Sequence, residues 1–168
     1  MFVKGVGMTK FGTGNRSSQE MIYEAAFEAL QDAGMSMKDI EGVVVTNMDF
    51  FSNGERQRHS ASMINSVLNT KAQVIRIISG CSGGGNAVWA GQNLDYNNVL
   101  VIGFEKLVAG NTDARTDEIL MGGERIYEQA EGMIFPAQNA LVAQQHMLKY
   151  GTTEDDFAQV ALKNHENR

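Results

Sequence analysis

The chain has 168 residues, of which 43% are hydrophobic and one is proline. A chain of this length can bury one hydrophobic core, and its apolar content excludes a disordered protein. Its formal net charge of −6 argues against general binding to nucleic acids or membrane surfaces, because both favour basic patches on the protein.

The first part of the chain alternates predicted strands and helices. Residues 2–11 have the pattern of a strand interrupted by glycines. The helix that follows begins at Ser17, which has Glu20 three positions later as in a capping box, and ends at Gly34. This order continues along the chain and predicts an α/β fold with a mostly parallel sheet and helices on both faces. The further strands are predicted at 43–46, 74–78 and 99–104, and the helices between them at 55–69 and 86–91.

The rest of the chain has a different texture. Residues 105–135 show no sustained period, and so long a connection is typically functional. One helix is predicted over 136–150, and a second begins with a cap at Thr153. We therefore divide the chain into an α/β core, residues 1–104, and the start of a loop region with its helices, residues 105–168. The expected buried stripe of the last helix consists of Phe157, Val160 and Ala161.

The protein is predicted to be soluble and cytoplasmic. No apolar run approaches the roughly 20 residues that span a bilayer. The N-terminus also lacks the charged leader and apolar segment of a secretory signal.

The single cysteine, Cys81, lies in the predicted turn between the third strand and a helix. It can form neither an internal disulfide nor a thiolate cluster, and no metal site is predicted. At a helix start, unpaired N–H groups and the helix dipole favour the thiolate form. We therefore interpret Cys81 as a nucleophile rather than as a small buried residue. Gly83 and Gly84, just after it, let a substrate approach the backbone closely.

The same turn allows a second nucleophile. Gly80, Ser82 and Gly84 satisfy G-x-S-x-G, the nucleophile motif of α/β-hydrolases, which would make Ser82 the reactive residue. Such an enzyme also needs a later histidine, but His146 and His165 lie in predicted helices. The hydrolase therefore remains a lesser alternative.

Two nucleotide-binding motifs fit poorly. A phosphate-binding loop would need Gly-Lys-Ser/Thr where Asn86 stands. A dinucleotide fingerprint would need a third glycine after Gly5 and Gly7, where Lys10 stands instead.

The chain resembles thiolases of the archaeal and sterol-carrier type. The resemblance covers essentially the whole chain and rests on five blocks in order, at residues 3–12, 39–43, 80–84, 146–154 and 160–165. It implies one half of the thiolase fold, which packs with a second half into a five-layered sandwich. It also implies acyl transfer on coenzyme A thioesters, as an acetyl-CoA C-acetyltransferase or a 3-ketoacyl-CoA thiolase. The acyl group would be carried on Cys81.

The resemblance also suggests how the site is built. The backbone N–H of Cys81 would donate to the oxyanion, and Met133 and Phe135 would line the acyl pocket beside Gly83 and Gly84. It implies coenzyme A thioester as a substrate and no permanently bound cofactor. It assigns no residues to coenzyme A binding.

The sequence departs from the family in one large respect. The catalytic histidine, the second cysteine and an oxyanion-hole asparagine of thiolases belong to a C-terminal half, and none of these motifs occurs here. The chain is therefore predicted to be an N-terminal portion that is inactive alone and needs a separate C-terminal half. A non-catalytic thiolase-like scaffold or acyl-CoA-binding subunit stays open as the alternative.

Assembly is predicted from the strand before Cys81. Residues 73–78 are apolar and β-branched, and such a strand at a sheet edge invites pairing with another chain. In thiolases this strand lies at the dimer interface, so we expect a homodimer or an assembly of dimers. Archaeal relatives also bind a hydroxymethylglutaryl-CoA synthase and a small OB-fold protein, which implies both as partners.

Overall fold

The computed structural model describes residues 2–12, 14–48, 57–106, 116–117 and 119–167. The chain forms two compact units, Met1–Asn111 and Thr112–Arg168. Within the described ranges, no helix is both long enough and apolar enough to cross a membrane.

Three parallel strands form the sheet of the first unit. They are β1 (Gly42–Thr46), β2 (Gln73–Ile77) and β3 (Val99–Gly103), in the order β2-β1-β3. All five residues of β1 are buried, because strands flank it on both sides and helices cover both its faces. The run Val43-Val44-Val45 suits this position, since β-branched residues pack well on a sheet that is covered on both faces.

Helices cover both faces of the sheet, so the predicted α/β fold class is confirmed. One face packs against α1 (Ser18–Asp32) and α2 (Ser60–Leu68), and the other packs against α3 (Gly83–Asn93). Alternate residues of β1 supply the two faces, as the strand period requires. The cluster on the α1/α2 face comprises Ile22, Ala26, Val43, Val45, Met63, Ile64, Leu68, Leu100 and Ile102.

The predicted capping box sets the start of α1. The Ser17 hydroxyl accepts from the Glu20 N–H at 3.2 Å, and the Glu20 carboxylate accepts from the Ser17 N–H at 2.7 Å. Donation from the backbone and the hydroxyl of Ser17 lowers the pKa of Glu20 below its ordinary value of 4.5. The helix ends at Asp32 with Ala33 as its C-cap, and Gly34 follows with a left-handed φ of +63°. Both predicted ends are confirmed.

The predicted first strand is wrong. The described residues 2–12 form no strand and are bonded to side chains of α1 instead. The Val6 N–H donates to the Asp32 carboxylate at 2.9 Å, and the Met8 N–H donates to the Glu28 carboxylate at 2.9 Å. Two acidic side chains one turn apart thus take the place of a neighbouring strand.

The glycines of this segment explain its position. A Cβ on Gly5 would collide with the Ala29 carbonyl oxygen, and a Cβ on Gly7 with the Ala25 carbonyl oxygen. The alternating glycines therefore serve a close approach of the backbone to a helix lined with alanines. The sequence pattern is the same as that of a glycine-interrupted strand, which is why the prediction failed.

Two helices of the first unit differ in length from their predictions. α2 begins at Ser60, whereas the predicted start at Glu55 lies outside the described residues. α3 is longer than predicted, because it begins at Gly83 rather than Asn86 and runs to Asn93. Its first turn consists of three glycines. Glycine has a low helix propensity, so the sequence predicts a later helix start.

The second unit contains a π-helix, Arg125–Gln129, and the helices α4 (Phe135–Tyr150) and α5 (Glu154–Glu166). The capped start of α5 is confirmed, since the Thr153 hydroxyl accepts from the Asp156 N–H. The predicted buried stripe is wrong. Phe157 is 39% and Val160 54% exposed, and Ala161 is exposed as well, because no other described element of this unit buries that face.

Candidate functional site

Cys81 lies at the carboxyl end of the sheet, in the turn that joins β2 to α3. A 3-10 turn, Gly80–Ser82, follows Ser79, and α3 begins directly after it. The thiol is free and exposed. Ligands of parallel α/β sheets bind at this end of the strands, where the loops before the helices converge.

Gly80 gives the turn its direction. Its φ of +53° is left-handed, and a Cβ there would meet no atom within 4 Å, so the requirement for glycine comes from the backbone. A side chain would cost about 1–2 kcal/mol in this conformation. The turn then closes through a bond from the Ser82 N–H to the Ser79 carbonyl at 3.2 Å. Within the described residues, no hydrogen bond is made by the Cys81 N–H.

Gly83 is the point where α3 touches the sheet. A Cβ on it would lie 2.6 Å from Thr46 Oγ1, and Thr46 is the last residue of β1 and 7% exposed. Gly83 is buried by this contact, whereas Gly84 is exposed with open space around it. Their predicted part in an acyl pocket stays a prediction.

Three polar side chains surround the turn. The Asn86 amide Nδ2 donates to Ser79 Oγ at 2.9 Å and to Ser82 Oγ at 3.1 Å. The Ser82 hydroxyl donates to the Ser79 carbonyl oxygen at 2.7 Å. A serine nucleophile needs its proton accepted by a base, and here that proton is held by a carbonyl. The geometry therefore does not favour the Ser82 hydrolase.

The polar residues beside the turn were not singled out in the sequence. Arg76 Nε donates to Asn47 Oδ1 at 2.8 Å, and the Glu105 carboxylate accepts from the Met48 N–H at 2.6 Å. Asn47 is 5% exposed, and its Nδ2 has no hydrogen-bond partner among the described residues. The sequence signal that could have identified them is their position at or just after the ends of predicted strands. Side chains at such positions lie together at one edge of a parallel sheet.

The remaining predicted site residues lie in the second unit. Met133 precedes α4 and is half-buried, and Phe135 is the first residue of α4 and is exposed. His146 is paired with Thr152, its Nδ1 lying 2.9 Å from the hydroxyl oxygen. The predicted role of Met133 and Phe135 in the acyl pocket stays a prediction.

Among the described residues, neither a metal-ligand cluster nor the surface groove along α1 coincides with Cys81. In the part of the chain that the structure describes, no three His, Cys, Asp or Glu side chains gather as metal ligands would. A shallow groove of about 1040 Å³ runs between the N-terminal segment and α1, and Cys81 does not line it.

A three-layered α/β domain that presents a cysteine between a strand and a helix agrees with the comparisons with known proteins. The family "Thiolase, N-terminal domain" matches residues 1–168. The chain therefore belongs to the thiolase family, in which it corresponds to the N-terminal domain, and the sequence resemblance is confirmed.

Individual relatives agree with this assignment. The chain is 34% identical to the acetyl-CoA acetyltransferase of Methanothermobacter thermautotrophicus, over 98% of its own length and 44% of the relative's. It is 29% identical to sterol carrier protein 2 of Bos taurus, over 99% of its own length and 33% of the relative's. The solved Ltp2-ChsH2(DUF35) aldolase shares its fold, with a TM-score of 0.63 and 22% identity over 94% of this chain and 40% of that chain. The chain thus spans less than half of each.

Proposed function

We propose that this chain is the N-terminal domain of a thiolase-type acyltransferase, and that Cys81 accepts the acyl group of a coenzyme A thioester. The observation that carries the proposal is an exposed thiol at the junction of β2 and α3, beside an N–H that has no hydrogen-bond partner among the described residues. Family membership and the acetyl-CoA acetyltransferase relatives support the reaction class.

The proposed first step transfers the acyl group to sulfur. The Cys81 thiolate attacks the thioester carbonyl carbon, forming a new carbon–sulfur bond. The bond from that carbon to the sulfur of coenzyme A breaks, and the departing thiolate takes up the proton that Cys81 gave away. The negative charge that develops on the carbonyl oxygen is stabilised by the Cys81 N–H, which needs no rearrangement to donate.

The proposed second step releases the acyl group. The carbanion of a second acetyl-CoA attacks the acyl-cysteine carbonyl, which gives acetoacetyl-CoA and frees the Cys81 thiolate. The reverse reaction is thiolysis of a 3-ketoacyl-CoA. We propose that the acid–base groups for these proton transfers come from a C-terminal half, since more than half of each relative's length lies outside the match. On this view the chain alone is acylated slowly and does not turn over.

Acyl-adduct formation tests the proposal. Purified protein incubated with acetyl-CoA or acetoacetyl-CoA is expected to gain one acetyl group, which peptide mass spectrometry should place on Cys81. Cys81→Ala is expected to gain none, because its side chain has no sulfur to form the thioester. Asn93→Ala, at the far end of α3 and outside the turn, is the control and should still be acetylated.

Two results would contradict this assignment. If wild type forms no adduct even with a C-terminal thiolase half present, the chain would be a non-catalytic acyl-CoA-binding subunit or scaffold. If Cys81→Ala still reacts with a fluorophosphonate at Ser82 and hydrolyses simple esters, the hydrolase alternative would replace it.

We further propose a homodimer formed through β2. In the described part of the chain this strand lies at the sheet edge with one neighbour. Four of its five residues are half-buried, and Ile78 beyond it is 60% exposed. An apolar strand with one unpaired side favours pairing with a second copy. Sedimentation velocity is expected to show a dimer that Ile78→Lys shifts towards monomer. Ile126→Lys, an equally exposed site in the second unit, should leave the dimer intact, and a monomeric wild type would refute the pairing.

The proposed partners are an acyl-CoA substrate, a hydroxymethylglutaryl-CoA synthase and a small OB-fold protein. The solved aldolase with this fold pairs Ltp2 with ChsH2(DUF35), which supports a second protein as a partner in general. We place the assembly in the cytoplasm and expect neither nucleic acid nor membrane among its partners, given the net charge of −6.

A further inference from the structure

A closed set of hydrogen bonds spans the turn that carries Cys81. The Asn86 amide reaches across it to Ser79 Oγ (2.9 Å) on one side of Cys81 and to Ser82 Oγ (3.1 Å) on the other. The Ser82 hydroxyl closes the set by donating to the Ser79 carbonyl oxygen at 2.7 Å. We call Ser79, Ser82 and Asn86 the turn brace.

The direction of these bonds follows from counting hydrogens. A serine hydroxyl has one hydrogen, and that of Ser82 is used on the Ser79 carbonyl. Ser82 Oγ can therefore only accept from Asn86, so the amide nitrogen and not the amide oxygen must face it. Both N–H groups of the Asn86 amide are then occupied, one by each serine.

The turn needs such a brace because its sequence leaves it loose. Gly80 stands at φ +53°, and glycine populates both signs of φ almost equally. Gly83, Gly84 and Gly85 follow directly, so few side chains restrict the backbone on either side of Cys81. Bonds from Asn86, one helical turn into α3, select one conformation and tie it to the helix.

We infer that Asn86 is a positioning residue for Cys81, acting through Ser79 and Ser82. This inference rests on the proposed acylation of Cys81. Attack on a thioester requires the sulfur and the Cys81 N–H to meet the same carbonyl group, and a displacement of about 1 Å costs on the order of 100-fold in rate. Asn86 is left with no N–H group to donate to substrate, because both are used by the two serines.

The test compares two reactions of the same thiol. In Asn86→Ala, the rate of Cys81 acylation by acetyl-CoA is expected to fall about 10–100-fold. Alkylation of Cys81 by iodoacetamide should change less than about 3-fold, because this small reagent needs an exposed thiolate and no aligned N–H donor. The melting temperature should hold, since alanine is the better helix former. Asn93→Ala, on the same helix and outside the turn, is the matched control and should retain both rates.

A second variant separates a brace from unrelated effects. Ser79→Ala/Ser82→Ala is expected to show the same fall in acylation, and adding Asn86→Ala to it should cause no further loss, because the bonds act as one unit. An unchanged acylation rate in Asn86→Ala, or losses that multiply in the triple variant, would overturn the inference while leaving acylation itself in place. A wild type that forms no acyl adduct would overturn the proposed function, and this inference with it.

Discussion

Gly83→Ala is expected to destabilise the first unit by about 1–2 kcal/mol, although helix propensity alone predicts a gain of about 1 kcal/mol. The backbone at Gly83, with φ −52° and ψ −47°, accepts alanine without strain. The added methyl group would instead meet Thr46 Oγ1 at 2.6 Å. Thr46 is buried and β-branched, so its side chain has little freedom to rotate away. Denaturant unfolding measures the sign, and acylation of Cys81 should fall as the start of α3 shifts.

Two companion variants make the Gly83 prediction specific. Gly85→Ala adds the same methyl group two residues later, where nothing lies within 4 Å, and it should raise the unfolding free energy by up to about 1 kcal/mol. In a Thr46→Ala background the oxygen is gone, so Gly83→Ala should become neutral or stabilising. A loss of the same size in both backgrounds would show that Thr46 is not the cause.

Ile64→Ala is expected to lower the unfolding free energy by about 2–5 kcal/mol. Ile64 is 0% exposed and lies in α2 at the centre of the cluster that packs on Val43 and Val45. Truncation removes three buried carbon atoms and leaves a cavity that rigid neighbours on the sheet fill poorly. Urea titration followed by circular dichroism gives the value directly.

The control for Ile64 is Val6→Ala in the same unit, away from the proposed dimer strand. The Val6 side chain is 67% exposed, so its truncation removes little buried surface and should cost less than about 0.5 kcal/mol. Similar losses at the two positions would mean that the α1/α2 face of the sheet is not the main core.

Local signals were enough to predict most elements of the fold. The β-branched runs at Val43-Val44-Val45 and at 99–104 need no tertiary information to favour strands, and capping at Ser17 and Thr153 marks helix starts by hydrogen bonds three residues apart. Each of these signals lies within a single helix or strand, so it can be read without knowing which other elements pack against it.

Contacts between distant segments decided the predictions that failed. Gly5 and Gly7 fit a glycine-interrupted strand as well as a segment that packs closely on a helix. Their contact with the alanine face of α1 determines which of the two forms. The apolar stripe at Phe157 and Val160 has helical spacing, but spacing says nothing about whether a partner surface is present to bury it.

The candidate site shows the same division. Strand, glycine and helix signals locate Cys81 correctly between β2 and α3. In the sequence, Asn86 indicates only a mismatch to a phosphate loop, because its bonds to Ser79 and Ser82 form only when Gly80 turns the chain. The contact of Thr46 with Gly83 has no sequence signal, because the two residues are far apart in the chain and meet only through the crossover from β2 to α3.

Thr46 is also the residue that defines how long the cysteine turn can be. It is paired in register with Ile77, where the chain leaves the sheet, and it touches Gly83, where the chain returns. The five residues between them therefore form a loop with both ends held at one residue, by the backbone of Thr46 at Ile77 and by its side chain at Gly83. We expect that inserting a residue into this loop would move the sulfur outward and that deleting one would pull α3 away from the sheet. The residue types in the loop can therefore vary more freely during evolution than its length.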